Sequence, residues 1–269
     1  MNKIPQQIIG NVGECIYCGE KKGNLSDEHI IPFGLNGPFL LKNASCAACA
    51  KITSKFEMEV MRGALLKPRV GLDLPTRNKK KRINQLEFDV TINGQNETIL
   101  LEPEENFSAM IFPEYLPPAH LSGKPIEKGI TIYASQLVQV SGPPLKKLKE
   151  KYGFDTLSVT VTWGASAFPR LLAKIGYGFA VAKLGIENID DIYILPYIIT
   201  DKFDGISEWV GTASDRIMTE NGFHTVILNI TDTREIIARI KLFSVWKVPE
   251  YLVVVGKLNE KKFKQLTSQ

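Results

Sequence analysis

The sequence predicts an α+β protein of two unequal parts. A small metal-stapled hairpin-helix domain comes first, and a larger mixed α+β domain follows, with a mostly antiparallel sheet and one buried helix. Three observations predict this. All four cysteines of the 269 residues fall within 35 positions as two Cys-x-x-Cys pairs, Cys15/Cys18 and Cys46/Cys49. Short runs of strand character, separated by turn residues, recur from Leu86 onward. Phe168 to Leu184 is apolar on most of its faces, the pattern of a buried helix.

The elements follow in order. Residues 1–14 read as an irregular lead-in. Cys15-Ile16-Tyr17-Cys18-Gly19 has the shape of a knuckle whose turn presents two thiolates, with a glycine to relieve the tight backbone. Leu25 to Ile31 predicts a strand, Pro32 to Pro38 a loop, and Phe39 to Leu41 a returning strand. Ser45 is the expected N-cap of a helix that begins at the second cysteine pair and carries Ile52, Phe56, Val60 and Met61 at helical spacing, with Gly63 ending it. The first domain therefore spans residues 1–66, and residues 67–85, rich in Lys and Arg, form a basic linker. In residues 86–269, Leu86 to Ile92 and Glu97 to Leu101 form a hairpin about Asn93-Gly94. Ile130 to Val138, Leu157 to Trp163, Tyr193 to Ile199, Thr225 to Ile230, Ile236 to Phe243 and Tyr251 to Val255 are the further predicted strands, and Ser166 and Pro169 mark the start of the long helix.

Four thiolates in two i, i+3 pairs match tetrahedral zinc, and four protein ligands leave no open position, so the ion is structural. No apolar run reaches the roughly 18 to 20 residues that span a bilayer, and the first residues lack the apolar stretch of a signal peptide, so a cytoplasmic protein without a membrane partner is expected. The net charge of +4 is unevenly shared: residues 1–85 carry 14 Lys and Arg against 7 Asp and Glu, whereas the remainder carries 19 against 22. A basic surplus on the cysteine-bearing segment points to a polyanion partner, because cations facing phosphates release condensed counterions.

Between the cysteine pairs lies Asp27-Glu28-His29-Ile30-Ile31-Pro32. Taken jointly, a Cys-x-x-Cys, an acidic residue before His-Ile-Ile-Pro, a glycine-containing loop and a second Cys-x-x-Cys that opens a helix resemble the zinc-containing HNH endonucleases, the ββα-metal group. The likeness covers about residues 14 to 60. It implies a metal-dependent endonuclease that hydrolyses DNA phosphodiester bonds, with His29 as general base, Glu28 as a ligand of a catalytic Mg²⁺ or Mn²⁺, and Asn43 nearest the asparagine of the second strand. An imidazole with an ordinary pKa of about 6.5 suits proton abstraction from water at neutral pH. The chain departs from the pattern at Ala50, where a His or Asn ligand is usual. Ala50, Thr53, Ser54 and Glu57 share one side of the helix, so Glu57 is the expected replacement ligand and a surface carboxylate paired with a lysine the plainer alternative. Asp27 is a third candidate, pointing away from Glu28 by strand alternation. Lys51, Lys55, Arg77, Lys79, Lys80, Lys81 and Arg82 are the expected contacts to the DNA backbone.

The larger domain contains no nucleotide-cradling glycine pattern and no second metal cluster. Arg170 and Lys174, one turn apart on the apolar helix, together with His224, Arg239 and Lys241, make an anion site if they converge. Homo-oligomerisation, a regulatory protein and a small ligand remain open as roles for this domain, as does a zinc scaffold that binds nucleic acid without cutting it.

Overall fold

The computed structural model describes residues 3–77, 83, 85–164, 166–217 and 222–268. It is a mixed α+β fold with mostly antiparallel sheets and a cysteine cluster near the N-terminus. Strand β1 (Gln7–Asn11), in the stretch expected to be irregular, runs parallel to β3 (Phe39–Ser45). Strand β2 (Ser26–His29) is antiparallel to the other edge of β3, with Glu28 opposite Leu41 and His29 opposite Leu40. The lead-in is thus a third strand, which satisfies an edge that a bare hairpin would leave unpaired.

Helix α1 (Ala47–Arg62) starts one residue later than expected: Ser45 stays in β3, and the sulfur of Cys46 caps the helix by accepting from the Cys49 N–H. Gly63 closes it through its N–H to the Glu59 carbonyl. The basic stretch after it is not irregular throughout, since Leu66–Gly71 forms a short helix, α2. The predicted hairpin is β4 (Glu87–Ile92) and β5 (Gln95–Leu100), with Asn93 and Gly94 both at positive φ, as a two-residue primed turn requires.

Strand β6 (Ser108–Glu114) pairs with β7 (Ala134–Ser141), which overlaps the strand expected over Ile130 to Val138 but begins four residues and ends three residues later. Helices α3 (Ala119–Ser122) and α4 (Leu145–Tyr152) were not signalled by their sequences, and of Leu157 to Trp163 only the first two residues extend a strand, β8 (Thr156–Ser158), on the edge of β4. Beyond the buried helix α5 (Ala167–Leu184), the run expected as a strand over Tyr193 to Ile199 is instead a turn and helix α6 (Leu195–Ile199), preceded by β9 (Ile189–Ile192). Pro196 explains the difference: it fits the first turn of a helix and has no N–H for a ladder.

The main sheet has β13 (Tyr251–Leu258) flanked by β10 (Val210–Thr212) and β12 (Glu235–Leu242), β11 (His224–Ile230) outside β12, and β9 also on β13. Helix α7 (Glu260–Thr267), capped by Asn259, follows. No described helix is long and apolar enough to cross a membrane.

Helix α5 is the shared centre. One side packs on β12 and β13, and the other on α1 and α6. Gly176 permits the close approach to the sheet, since a Cβ there would stand 3.1 Å from Val253. A single apolar cluster therefore runs from Cys15, Ile30 and Phe56 through Phe168 and Leu172 to Ile240 and Val253. A satellite cluster of Leu86, Phe88, Val90, Phe107, Leu148 and Phe154 lies under the β4–β5 hairpin and α4.

Candidate functional site

The four cysteines join the first turn of the chain to the start of α1. The Cys15–Gly19 turn closes through the Gly19 N–H to the Cys15 carbonyl at 2.8 Å, with Gly19 at φ +75°. Cys46 and Cys49 sit at the cap and first turn of α1. The four sulfurs lie within 4.8 Å of one another, and Cys18 and Cys46 are 3.7 Å apart. Zinc–sulfur bonds of about 2.3 Å place tetrahedral sulfurs about 3.8 Å apart, so the four cysteines are positioned to hold a metal ion in a manner consistent with structural zinc. The Cys49 N–H, aimed at the Cys46 sulfur, draws that thiol down to about 7, whereas burial pushes the Cys49 thiol up.

Between the two cysteine pairs, β2 and α1 wall a cleft of about 440 Å³. Strand β2 contributes Asp27, Glu28 and His29, and α1 contributes Ala50, Thr53, Ser54 and Glu57, the row that helical spacing puts on one side. Arg62, Arg69 and Arg77 complete the wall on the basic side. Arg69 spans the loop after β2 and the chain after α2 by donating to the carbonyls of Gly34, Met61 and Pro75, so its charge has no carboxylate partner among the described residues. His29 is half-buried beside Phe33, with Gln6 3.4 Å from its Nδ1. Burial, and then the charges of Lys174 and Arg77, hold its imidazole below the ordinary histidine pKa against the opposing pull of Glu28 and Asp27. A neutral imidazole at pH 7 is the form that accepts a proton.

The floor of the cleft is a charged cage. Lys174, from the middle of α5, is 1% exposed and places its Nζ 2.6 Å from Glu28 Oε1 and 2.7 Å from Glu57 Oε1. It also donates to the His29 carbonyl and stands 3.5 Å from the Ile30 carbonyl. Burial works against the ammonium, but the two carboxylates outweigh it and keep the pKa of Lys174 above its usual value. Burial raises Glu57, an effect that Lys174 offsets and the charge of Glu28 adds to. Tyr17 packs in the same cluster, its phenol held well above the ordinary range by burial and then by the charges of Glu28 and Glu57.

A divalent ion was expected between Glu28 and Glu57. Mg²⁺ sits about 2.0–2.1 Å from its oxygens, which is the space that Nζ fills, and two cations cannot share it. Ala50 offers no donor, and Asp27 is engaged by Lys42 at 2.7 Å and by the Asn43 N–H at 3.3 Å. In this arrangement the residues do not fit a catalytic divalent ion.

The other expected residues are dispersed. Asn43 is exposed, at φ +49°, and bonds to Asn11 outside the cleft. Lys51 and Lys55 are exposed on α1 beside the cleft-facing row, and Lys79, Lys80, Lys81 and Arg82 lie outside the described residues. The cations of the larger domain do not converge on an anion. Arg170 donates to the Tyr197 and Ile198 carbonyls over the ring of Phe56, Arg239 pairs with Asp215 and Glu250, and His224 bonds to the Leu35 carbonyl. Sequence reasoning counts Arg69 among the basic residues near the site but misses Lys174 as part of it. The available signal was a lysine inside an apolar helix, which must find a buried acid.

Compared with protein-family models, curated proteins and solved structures, the chain matches none.

Proposed function

We propose that the chain is an endonuclease that hydrolyses DNA phosphodiester bonds, with His29 as general base. The observation that carries this reading is the cleft itself, where a neutral imidazole stands beside two carboxylates and faces three arginines that have no carboxylate partner among the described residues. Imidazole beside guanidinium groups suits hydrolysis of an anionic diester: the arginines take the phosphate charge, and the base activates water.

The step follows from these groups. A water on His29 loses one proton to the ring, and its oxygen bonds to phosphorus. The bond from phosphorus to the leaving strand's oxygen breaks, that oxygen takes a proton from solvent, and His29 returns its own proton to solvent. Glu28, Lys174 and Glu57 tie strand to helix and hold the base in place. Zinc, when bound by the four cysteines, fixes the ends of the same hairpin-helix frame and has no part in the chemistry. No step runs through a divalent ion.

Ala50 and the engaged carboxylates favour one rival, a nucleic-acid-binding module that does not cut. Supercoiled plasmid incubated with the parent and with His29→Ala, with and without Mg²⁺, separates them. The parent is expected to nick, and the variant to lose at least about 100-fold of the rate, the usual contribution of a general base. Equal cutting by both proteins, or none by the parent under any condition, would overturn the reading, and retained DNA binding without cutting would establish the rival.

A further inference from the structure

We infer that the ammonium of Lys174 is the resident cation of the Glu28–Glu57 pair, standing where a phosphodiester-cleaving site of this composition would hold a divalent ion, so that the cleft works without Mg²⁺ or Mn²⁺. This deepens the proposed function and rests on its reading of the cleft. Three features of the structure support it.

The first is saturation. An ammonium has three N–H groups, and Glu28, Glu57 and the His29 carbonyl accept all of them, with Ile30 close by. None is left for substrate, so Lys174 is a positioning residue that acts on the two carboxylates.

The second is confinement. Every residue of α5 from Ala167 to Val181 is buried, and Lys174 lies in the middle of that run. Its side chain is 1% exposed at the floor of the cleft, so an incoming ion would have to bury a second cation beside the first.

The third is the absence of a ligand set around the pair. Thr53, one turn above Glu57, turns its hydroxyl to the Ala50 carbonyl, and Asp27 is taken by Lys42. An incoming ion would find Oε1 of both carboxylates already on the ammonium, and would have to displace Lys174 or stand against its charge. One ammonium leaves the two carboxylates with a negative charge in excess, and the field of Arg77 reaches both Glu57 and His29. The arginines thus carry the positive charge that a metal would otherwise supply.

The test uses the full chain, with one equivalent of zinc verified, titrated with MnCl₂ in the absence of DNA and followed by the electron-spin signal of free Mn²⁺. The parent is expected to leave that signal unchanged, apart from binding that does not depend on Glu57. Lys174→Met frees the two carboxylates and is expected to bind one Mn²⁺ per chain and to gain melting temperature as Mn²⁺ is added. Adding Glu57→Gln to that variant should weaken the binding at least about tenfold, since affinity follows the charge of the ligands. A parent that binds one Mn²⁺, lost in Glu57→Gln, would overturn the inference, as would a folded Lys174→Met that binds none. If Lys174→Met does not fold even with Mn²⁺, the comparison of the parent with Glu57→Gln decides alone: Glu57-dependent binding refutes the assignment and its absence upholds it. Failure to cut plasmid would sink the nuclease reading and leave this cation assignment standing, whereas cutting that requires added Mg²⁺ would sink the assignment and leave the nuclease.

Discussion

Two charged clusters hold the N-terminal hairpin and helix together, and they are built on opposite principles. The cysteine cluster draws all its ligands from residues 15–49 and is positioned to hold an ion taken from solution. The Glu28–Lys174–Glu57 cage draws its carboxylates from the same segment, but its cation comes from a helix about 120 residues or more further along the chain. The first cluster can form as soon as its own segment and zinc are present. The second exists only when α5 has packed on both the main sheet and α1. Among the described residues that line the cleft, Lys174 is the one that the larger domain supplies, so the two clusters should respond differently to the loss of one member.

The larger effect is expected at the metal. Elemental analysis should find about one zinc per chain, and Cys46→Ala should unfold the hairpin-helix region, because structural zinc contributes on the order of 10 kcal/mol to the folding of small zinc peptides. Far-ultraviolet circular dichroism and thermal melting of the variant would show it. A Cys46→Ala protein that melts with the parent would mean that the packing of α5 holds this region without the ion, and the contrast between the clusters would collapse.

The cage should respond less strongly, and in a way that depends on which member is removed. Lys174→Met leaves two carboxylates buried without their cation, which in comparable buried pairs costs about 3–5 kcal/mol. Lys174→Met combined with Glu57→Gln removes one of those charges as well and should be more stable than the single variant by about 1 kcal/mol or more, as coupled neighbours are. Urea unfolding of the parent, both single variants and the double variant closes this cycle. Additive losses would show that Lys174 and Glu57 do not act as a pair.

The same difference decides what was legible in the sequence. The cysteine cluster could be read because its spacing is local, and Glu57 could be placed beside Ala50 because helical geometry repeats every turn. Lys174 could be recognised as anomalous inside an apolar helix, but its partners could not be named, since a sequence holds no information on spacing across more than a hundred residues of fold. Helix α5 and strands β11 to β13 were legible from their long apolar runs. Strand β1 was not, because its partner edge exists only once β3 has formed, and α6 was misread because β-branched residues outweighed the single proline that marks its first turn. Arg69 was read as one charge among many in a linker, whereas three backbone carbonyls fix it in the cleft wall.

A smaller effect tests whether the seam between the two parts also depends on an uncharged contact. His224, on β11, crosses to the N-terminal segment as Lys174 does, but without charge: its Nδ1 accepts from the Phe243 N–H at 3.1 Å, so its Nε2 carries the proton donated to the Leu35 carbonyl at 2.8 Å. Both nitrogens are satisfied in the neutral ring, and burial lowers its pKa from 6.5 to about 4. The unfolded chain therefore takes up this proton first as pH falls. The contribution of His224 to stability is fully present above 6.5, erodes below it, and is lost by about pH 4, a change of about 3 kcal/mol. Carboxylates add their own acid sensitivity, so the informative quantity is a difference between two proteins. His224→Phe leaves the Leu35 carbonyl and the Phe243 N–H without partners, which should lower stability by about 1–3 kcal/mol at each pH and so cancel from the comparison. Between about pH 7.5 and about pH 4, urea unfolding should show the parent losing about 3 kcal/mol more than the variant. Equal losses would mean that the imidazole of His224 keeps an ordinary pKa, hence that water reaches it, and that Lys174 and its carboxylates hold a seam which is open at its other end.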